Sequence, residues 1–292
     1  MLYDVKLTLD YQYDAPVSGG RHHVRVFPRT LPGIQRVIAS SLKVTPSPSE
    51  HTEFTDFFGT RVTALAYRAA HDDLEITMTA RVDVERTDDD IDLTPDLGTL
   101  NSDIAQCRHM GATSPHHFLA ASPRIALEPS VTAYARQSLH TARTVREIAM
   151  DLCLRIHADF AYDDNATRVD TALSEAFELR RGVCQDFAHI MIAGLRGLGV
   201  PAGYVSGFLR TIPPKGRPRL EGADAMHAWV AVWCGREAGW IEFDPTNAMR
   251  AGQDHIVIGY GRDYADVSPI VGVLRSAGGH ETSQAVDVLE VA

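Results

Sequence analysis

Cysteine is scarce in this chain, with four residues in 292, at positions 107, 153, 184 and 234. They form neither CxxC pairs nor the dense framework that staples small secreted scaffolds, so free thiols in a reducing cytoplasm are the expectation. Basic residues never cluster beyond a pair and the net charge is −10, which argues against a nucleic-acid partner. No apolar run reaches the ~20 residues needed to cross a bilayer, and the N-terminus lacks a basic-then-apolar leader pattern, so no membrane partner is expected. Low-complexity blocks and internal repeats are missing as well. Oligomeric state leaves no mark in the sequence.

What remains is ordinary soluble material, 45% hydrophobic and 23% charged, long enough for two domains that need no disulfide or metal staples. The thirteen histidines do not suggest a zinc site. In an extended chain His22-His23 and His116-His117 point to opposite faces. The run Asp88-Asp89-Asp90 reads as a solvated loop, without the spaced oxygens and turn glycine of a calcium loop. No cofactor is expected.

Residues 1–90 read as all-β. Val5, Leu7, Leu9 and Tyr11 alternate on one face, and further strands are expected over 22–29, 34–44, 61–69 and 74–86. The spacing suggests a β-sandwich of about six strands. Residues 91–130, rich in acidic residues, glycine and proline, read as a linker or lid. Residues 131–292 form the second domain. Val145, Ile148, Leu152 and Ile156 predict a helix of about four turns, with Cys153 as a buried small hydrophobe within it. A short helix follows at 171–179, and strands are expected at 202–210, 227–234 and 240–244.

The stretch RRGVCQDFAHIMIAGLRGLG (180–199) places Cys184 after a turn signal at Arg181-Gly182-Val183. Phe187, Met191, Leu195 and Leu198 form an apolar stripe behind it. A cysteine in the first helical turn sits at unpaired N–H groups and the positive end of the dipole, which favour a thiolate. A nucleophile needs a base, and His227 in DAMHAWVAVW has the best setting. His189, roughly 140° around the helix from Cys184, should face elsewhere. Asp244 ends WIEFD. If Trp233 lies opposite Trp240, then position 229 lies opposite 244 and His227 is in diagonal reach of Asp244. A one-residue slip would separate them.

Three blocks, GVCQDFAHIMIAGLRGLGVPAGYVSGFL, DAMHAWVAVW and GWIEFDPTN, resemble the bacterial transglutaminase-like cysteine protease superfamily. The stretches YQYDAPV, VRVFPRTLPG and DFFGTRV resemble its β-rich N-terminal domain, and HIVIGYGRDYADVSPIVGV its C-terminal segment. The resemblance implies an α+β fold: an N-terminal β-sandwich, then a papain/transglutaminase-like core with helices packed on an antiparallel sheet. It implies a catalytic triad of Cys184, His227 and Asp244.

The expected chemistry is acyl transfer on a peptide or protein amide through a thioester. Hydrolysis by a peptidase or amidase is the first reading and true transglutamination the second. A non-catalytic peptide-binding module is the alternative of another class. The calcium dependence of related animal enzymes has no ligand motif here. Tyr162 and Gln185 are candidates for the second oxyanion donor. Trp229, Trp233 and Trp240 read as core aromatics that could flank a groove, and Asp224 as loop solvation. His255, Arg262, Asp263 and Tyr264 are candidates either for lining the cleft or for turn structure.

Overall fold

The computed structural model describes residues 1–86, 91–139, 143–211, 222 and 224–291. The Asp88-Asp89-Asp90 run, together with most of the Gly/Pro-rich loop before His227, lies outside these residues.

The N-terminal region is built on one long strand, β1 (Leu2–Val24), joined by β2 (Gln35–Thr45), β3 (Glu50–Thr55), β4 (Arg61–Ala66) and β5 (His71–Val84). The order is β2-β5-β1-β4-β3 with antiparallel pairing throughout. The first half of β1 pairs with β5 and its last residues with β4, with the register shifting between Gln12 and Val17. One long strand therefore serves both halves of a curled sheet. Val5, Leu7 and Leu9 are buried as their alternation predicted and Tyr11 is half-buried; Tyr3 is buried with them, together with Ile76, Met78 and Val82 of β5.

Helix α1 (Leu97–Gln106) begins at Asp96, whose Oδ1 accepts the Thr99 N–H at 2.7 Å. A side-chain acceptor at this position satisfies one of the helix's orphan donors. Then come α2 (Pro129–Arg136) and α3 (Val145–Asp159), the latter opened by a Thr144/Glu147 capping box. Next are β6 (Ala161–Tyr162), α4 (Leu173–Leu179), β7 (Arg181–Gly182) and α5 (Cys184–Gly197). The chain continues through β8 (Ala202–Leu209), β9 (Ala225–Trp233), the one-turn α6 (Gly235–Ala238), β10 (Trp240–Asp244), β11 (Met249–Arg250) and β12 (His255–Gly261). These strands form an antiparallel sheet in the order β11-β10-β9-β8-β12. Every residue of α5 from Asp186 to Arg196 is buried, which is the mark of a helix enclosed on all sides. Its packing partners include α2, α3 and α4 as well as β8 and β9.

After α7 (Tyr264–Val267) come two strands, β13 (Ile270–Arg275) and β14 (His280–Glu290). Both pair antiparallel with β1, bringing the N-terminal sheet to seven strands. Sequence order and spatial grouping part company here, because residues 270–290 belong to the sheet that the chain began.

The two regions are also joined by side chains. Gln35 is buried and brackets Val257 of β12, donating to its carbonyl at 2.8 Å and accepting its N–H at 2.8 Å. Phe208, Ile256 and Ile258 of the second sheet pack into the N-terminal hydrophobic core.

Candidate active site

Cys184 is the first residue of α5 and is half-buried. The approach to it is set by two short pairings. Arg180 closes α4 in the left-handed region (φ 53°), and Ala161-Tyr162 pairs in parallel with Arg181-Gly182. Asp186, buried one turn into the helix, reaches back to the Val183 N–H at 2.9 Å and accepts the Thr167 hydroxyl at 2.6 Å. Burial pushes the Asp186 carboxyl up, against these hydrogen bonds.

The left-handed conformation at this turn is taken by Arg180, not by Gly182. Gly182 is needed for close approach, since a Cβ there would overlap the Asp186 carboxylate. Gly182→Ala should therefore dislodge the helix cap and cost about 1–3 kcal/mol, as overpacking of a tight site does. A lower urea midpoint is the expected result.

The hairpin β9–β10 has the register that the tryptophans imply, with Trp240 opposite Trp233 and Phe243 opposite Val230. His227 Nε2 lies 2.8 Å from Asp244 Oδ2, and both residues are buried. The Asp244 Oδ1 accepts the backbone N–H groups of Thr246 (2.9 Å) and Asn247 (3.2 Å) in a tight turn, an Asx-type arrangement. The Oδ2 also accepts Asn247 Nδ2 at 2.7 Å and sits 3.0 Å from His255 Nε2. Although burial opposes its charge, these donors and the His227 charge hold the Asp244 carboxyl well below its ordinary range. Burial alone would lower His227, but hydrogen bonds to Asp244 and to Cys184 raise it to about 10. Since Nε2 faces Asp244, Nδ1 is the ring nitrogen left for the Cys184 sulfur.

Those two shifts give stability a pH dependence. A carboxyl held below its ordinary 3.8 contributes stability above that value and loses it as pH falls through the folded value. An imidazole held near 10 contributes fully below 6.5 and loses its share as pH rises from 6.5 to 10. His189 acts in the other sense: burial keeps it neutral down to about 4, so it subtracts stability as pH falls below 6.5. The unfolding free energy should therefore decline between pH 6.5 and 10, as read from urea midpoints.

The ring nitrogens of His227 and His255 and an Asp244 oxygen all lie within 4.8 Å of one another, the only such buried His/Asp trio among the described residues. Here these atoms satisfy each other. Each imidazole Nε2 is at hydrogen-bond distance from the carboxylate, and His255 Nδ1 is engaged by the Gly252 N–H at 3.1 Å. The donor set is that of a hydrogen-bonded cluster.

The remaining sequence candidates divide by burial. Tyr162 is exposed, lies close enough for the Cys184 charge to act on its phenol, and has that phenol pushed up chiefly by burial of the atoms around it. Gln185 is turned away, donating to the Val169 carbonyl at 3.1 Å. His189 is buried and accepts the Tyr264 N–H at 3.3 Å. Asp224 is not loop solvation: it is buried and accepts the Thr211 N–H at 2.7 Å and the Val288 N–H at 2.6 Å, tying the loop end to β14. Asp263 is buried and caps α7, Arg262 pairs with Asp266, and Tyr264 packs near Tyr204, so this segment is turn structure.

Trp229 is fully buried beneath the site. Its ring stacks on His227 at 6.0 Å and meets His255 edge-on at 5.1 Å. Its indole N–H donates to Glu242 at 2.6 Å, and Glu242 also accepts Arg86 at 2.7 Å and Tyr260 at 2.7 Å. This buried carboxylate is fully partnered, as a buried charge must be.

Two family descriptions match the chain: a bacterial transglutaminase-like N-terminal region over residues 3–83 and the transglutaminase-like superfamily core over 132–245. An uncharacterised protein of Mycobacterium tuberculosis is 34% identical over 93% of this chain and 87% of its own length. A Mycobacterium leprae protein, also uncharacterised, is 28% identical over 97% of this chain and 96% of its own. A protein-glutamine gamma-glutamyltransferase of Pseudomonas aeruginosa is 37% identical over a shorter stretch, 31% of this chain and 14% of that one. Among solved structures, a Cytophaga hutchinsonii protein with a provisional description as a cysteine protease superposes with a TM-score of 0.69 at 22% identity. That match covers 99% of this chain and 90% of the other. With its core and its N-terminal region both matched, and with relatives aligned along nearly its whole length, the chain belongs to the transglutaminase-like superfamily.

Proposed function

We propose that the protein is a cysteine amidase or peptidase that uses Cys184 as nucleophile, His227 as general base and acid, and Asp244 as the group that orients His227. The observation that carries this reading is the 2.8 Å contact of His227 Nε2 with the buried Asp244 carboxylate, at an imidazole near enough to Cys184 for that thiol, like Asp244, to favour its charged form. Asp244 fixes the tautomer and supports the imidazolium. The Cys184 thiolate attacks the carbonyl carbon of an amide, and the oxyanion is met by the Cys184 N–H, which as the first of its helix has no intrahelical acceptor. His227 gives its proton to the leaving nitrogen, the C–N bond breaks and a thioester remains. Water, losing a proton to His227, then displaces the thiolate and releases the acid.

Hydrolysis is favoured because water far outnumbers any amine unless a site excludes it. The Pseudomonas aeruginosa relative supports the second reading, in which an amine takes the place of water. The exposed Tyr162 phenol, near enough to feel the Cys184 charge, is our candidate for the second oxyanion donor. Four free thiols, two of them fully buried, fit a reducing compartment such as the cytoplasm.

A library of peptide and glutamine amides, screened with wild type and Cys184→Ala in the presence of a labelled primary amine, tests the proposal. New carboxyl groups without label identify a hydrolase, and incorporated label identifies a transferase. If turnover persists in Cys184→Ala, the assignment of the nucleophile is wrong.

A further inference from the structure

His255 is the first residue of β12 and is 1% exposed. It comes to Asp244 from a different strand from either member of the hairpin, because β12 lies at the far edge of the sheet beside β8. Its Nε2 is 3.0 Å from Asp244 Oδ2, the oxygen that His227 Nε2 approaches to 2.8 Å. On the other side of the ring the Gly252 N–H points at Nδ1 from 3.1 Å. An N–H donor there requires a lone pair on Nδ1, so the ring proton is on Nε2 and His255 is a neutral donor to the carboxylate. Trp229 meets the ring edge-on at 5.1 Å, and Gln35 grips Val257 two residues along the same strand. The imidazole is thus fixed by its backbone, its ring face and its second nitrogen.

The rotation of an aspartate carboxylate about χ2 is broad and soft. Thr246 and Asn247 N–H groups hold Oδ1 and Asn247 Nδ2 holds Oδ2, but all of these donors lie in the one turn that follows Asp244. A second imidazole donating to Oδ2 from a separate strand gives that oxygen a fixed point that does not belong to the hairpin.

We propose that His255 is a positioning residue that orients Asp244 towards His227 and so maintains the reactivity of Cys184. This inference rests on the reading of Cys184, His227 and Asp244 given above. It is not a second base, since its only free lone pair is spent on Gly252.

Alkylation of Cys184 by iodoacetamide, followed by mass spectrometry, measures thiolate supply without any substrate. Wild type should react faster than a free cysteine, and His255→Gln, which offers an amide N–H near the Nε2 position, should stay within about threefold of it. His255→Phe, similar in bulk but unable to donate, should react about 10- to 100-fold more slowly, the range found when an orienting outer partner is removed. With a substrate from the screen, the loss should fall on kcat and leave KM unchanged.

If wild type reacts no faster than free cysteine, the functional reading itself fails. A fast wild type with an equally fast His255→Phe overturns only the role of His255. Should His255→Phe not fold, long-range 15N–1H correlation on the wild type decides the matter. The Nε2–H tautomer of His255 is expected, and the Nδ1–H tautomer overturns the proposal.

Discussion

Cys184→Ala should abolish amide turnover, with a loss of about 10⁵- to 10⁶-fold, while leaving the fold intact. The magnitude comes from removing a nucleophile that acts as a unit with its base, where loss of one member costs nearly as much as loss of all. The fold should survive because Cys184 is half-buried at a helix start. The cap of α5 depends on Asp186 and the backbone of Val183, not on the sulfur. The internal control is Cys153. It is fully buried, and burial, reinforced by the Asp244 charge, pushes its thiol up to about 12. A thiol-reactive amide probe should label the wild type and Cys153→Ala equally and Cys184→Ala at background. Label retained in Cys184→Ala, with the protein folded by circular dichroism, would mean that a different sulfur does the chemistry.

Asp244→Asn should be nearly as damaging, about 10³- to 10⁴-fold in kcat, for a different reason. The turn N–H groups of Thr246 and Asn247 demand an acceptor at Oδ1, so an asparagine carbonyl is drawn there. Its NH₂ then occupies the Oδ2 position and faces the N–H donors of His227, His255 and Asn247. His227 can relieve the clash only by moving its proton to Nδ1, which leaves it unable to take a proton from Cys184. Each donor left unsatisfied in the interior costs about 1–3 kcal/mol, so this variant should also be destabilised. The loss of the buried anion should flatten the decline in stability between pH 6.5 and 10. Unchanged pH dependence would remove Asp244 as the source of the His227 shift.

The proposed triad was legible because the information is local. Cys184 is marked by the glycine and the apolar stripe that flank it. His227 and Asp244 belong to one hairpin whose register is fixed by its two end tryptophans, and the observed pairing of Trp233 with Trp240 obeys that logic. His255 was visible only as a residue of a resembling segment. Its contact with Asp244 depends on β12 pairing with β8, a long-range choice that no period in the sequence encodes. Asn247 could have been read from DPTN, an Asx turn in which the aspartate accepts the N–H groups two and three residues on. Asp224 was misjudged because a polar residue in a loop looks solvated until its partners on β14 are known. Strands β13 and β14 escaped for the same reason. Their burial patterns are mostly exposed, with little alternation to see.

The pairing of β1 with β14 has a consequence for synthesis. Residues Tyr3–Tyr13 have β5 along one edge and β14 along the other, and β14 spans residues 280–290. On the ribosome the first edge is covered once β5 has emerged, but the second stays open until β14 itself has been made. At typical elongation rates that is on the order of tens of seconds. Through that interval an edge of the protein's longest strand offers unpaired N–H and C=O groups to any neighbouring chain, the hazard that open sheet edges carry. Nascent copies on one polysome would be the nearest such neighbours, so slower translation of the stretch between β5 and β14 should lower the soluble yield.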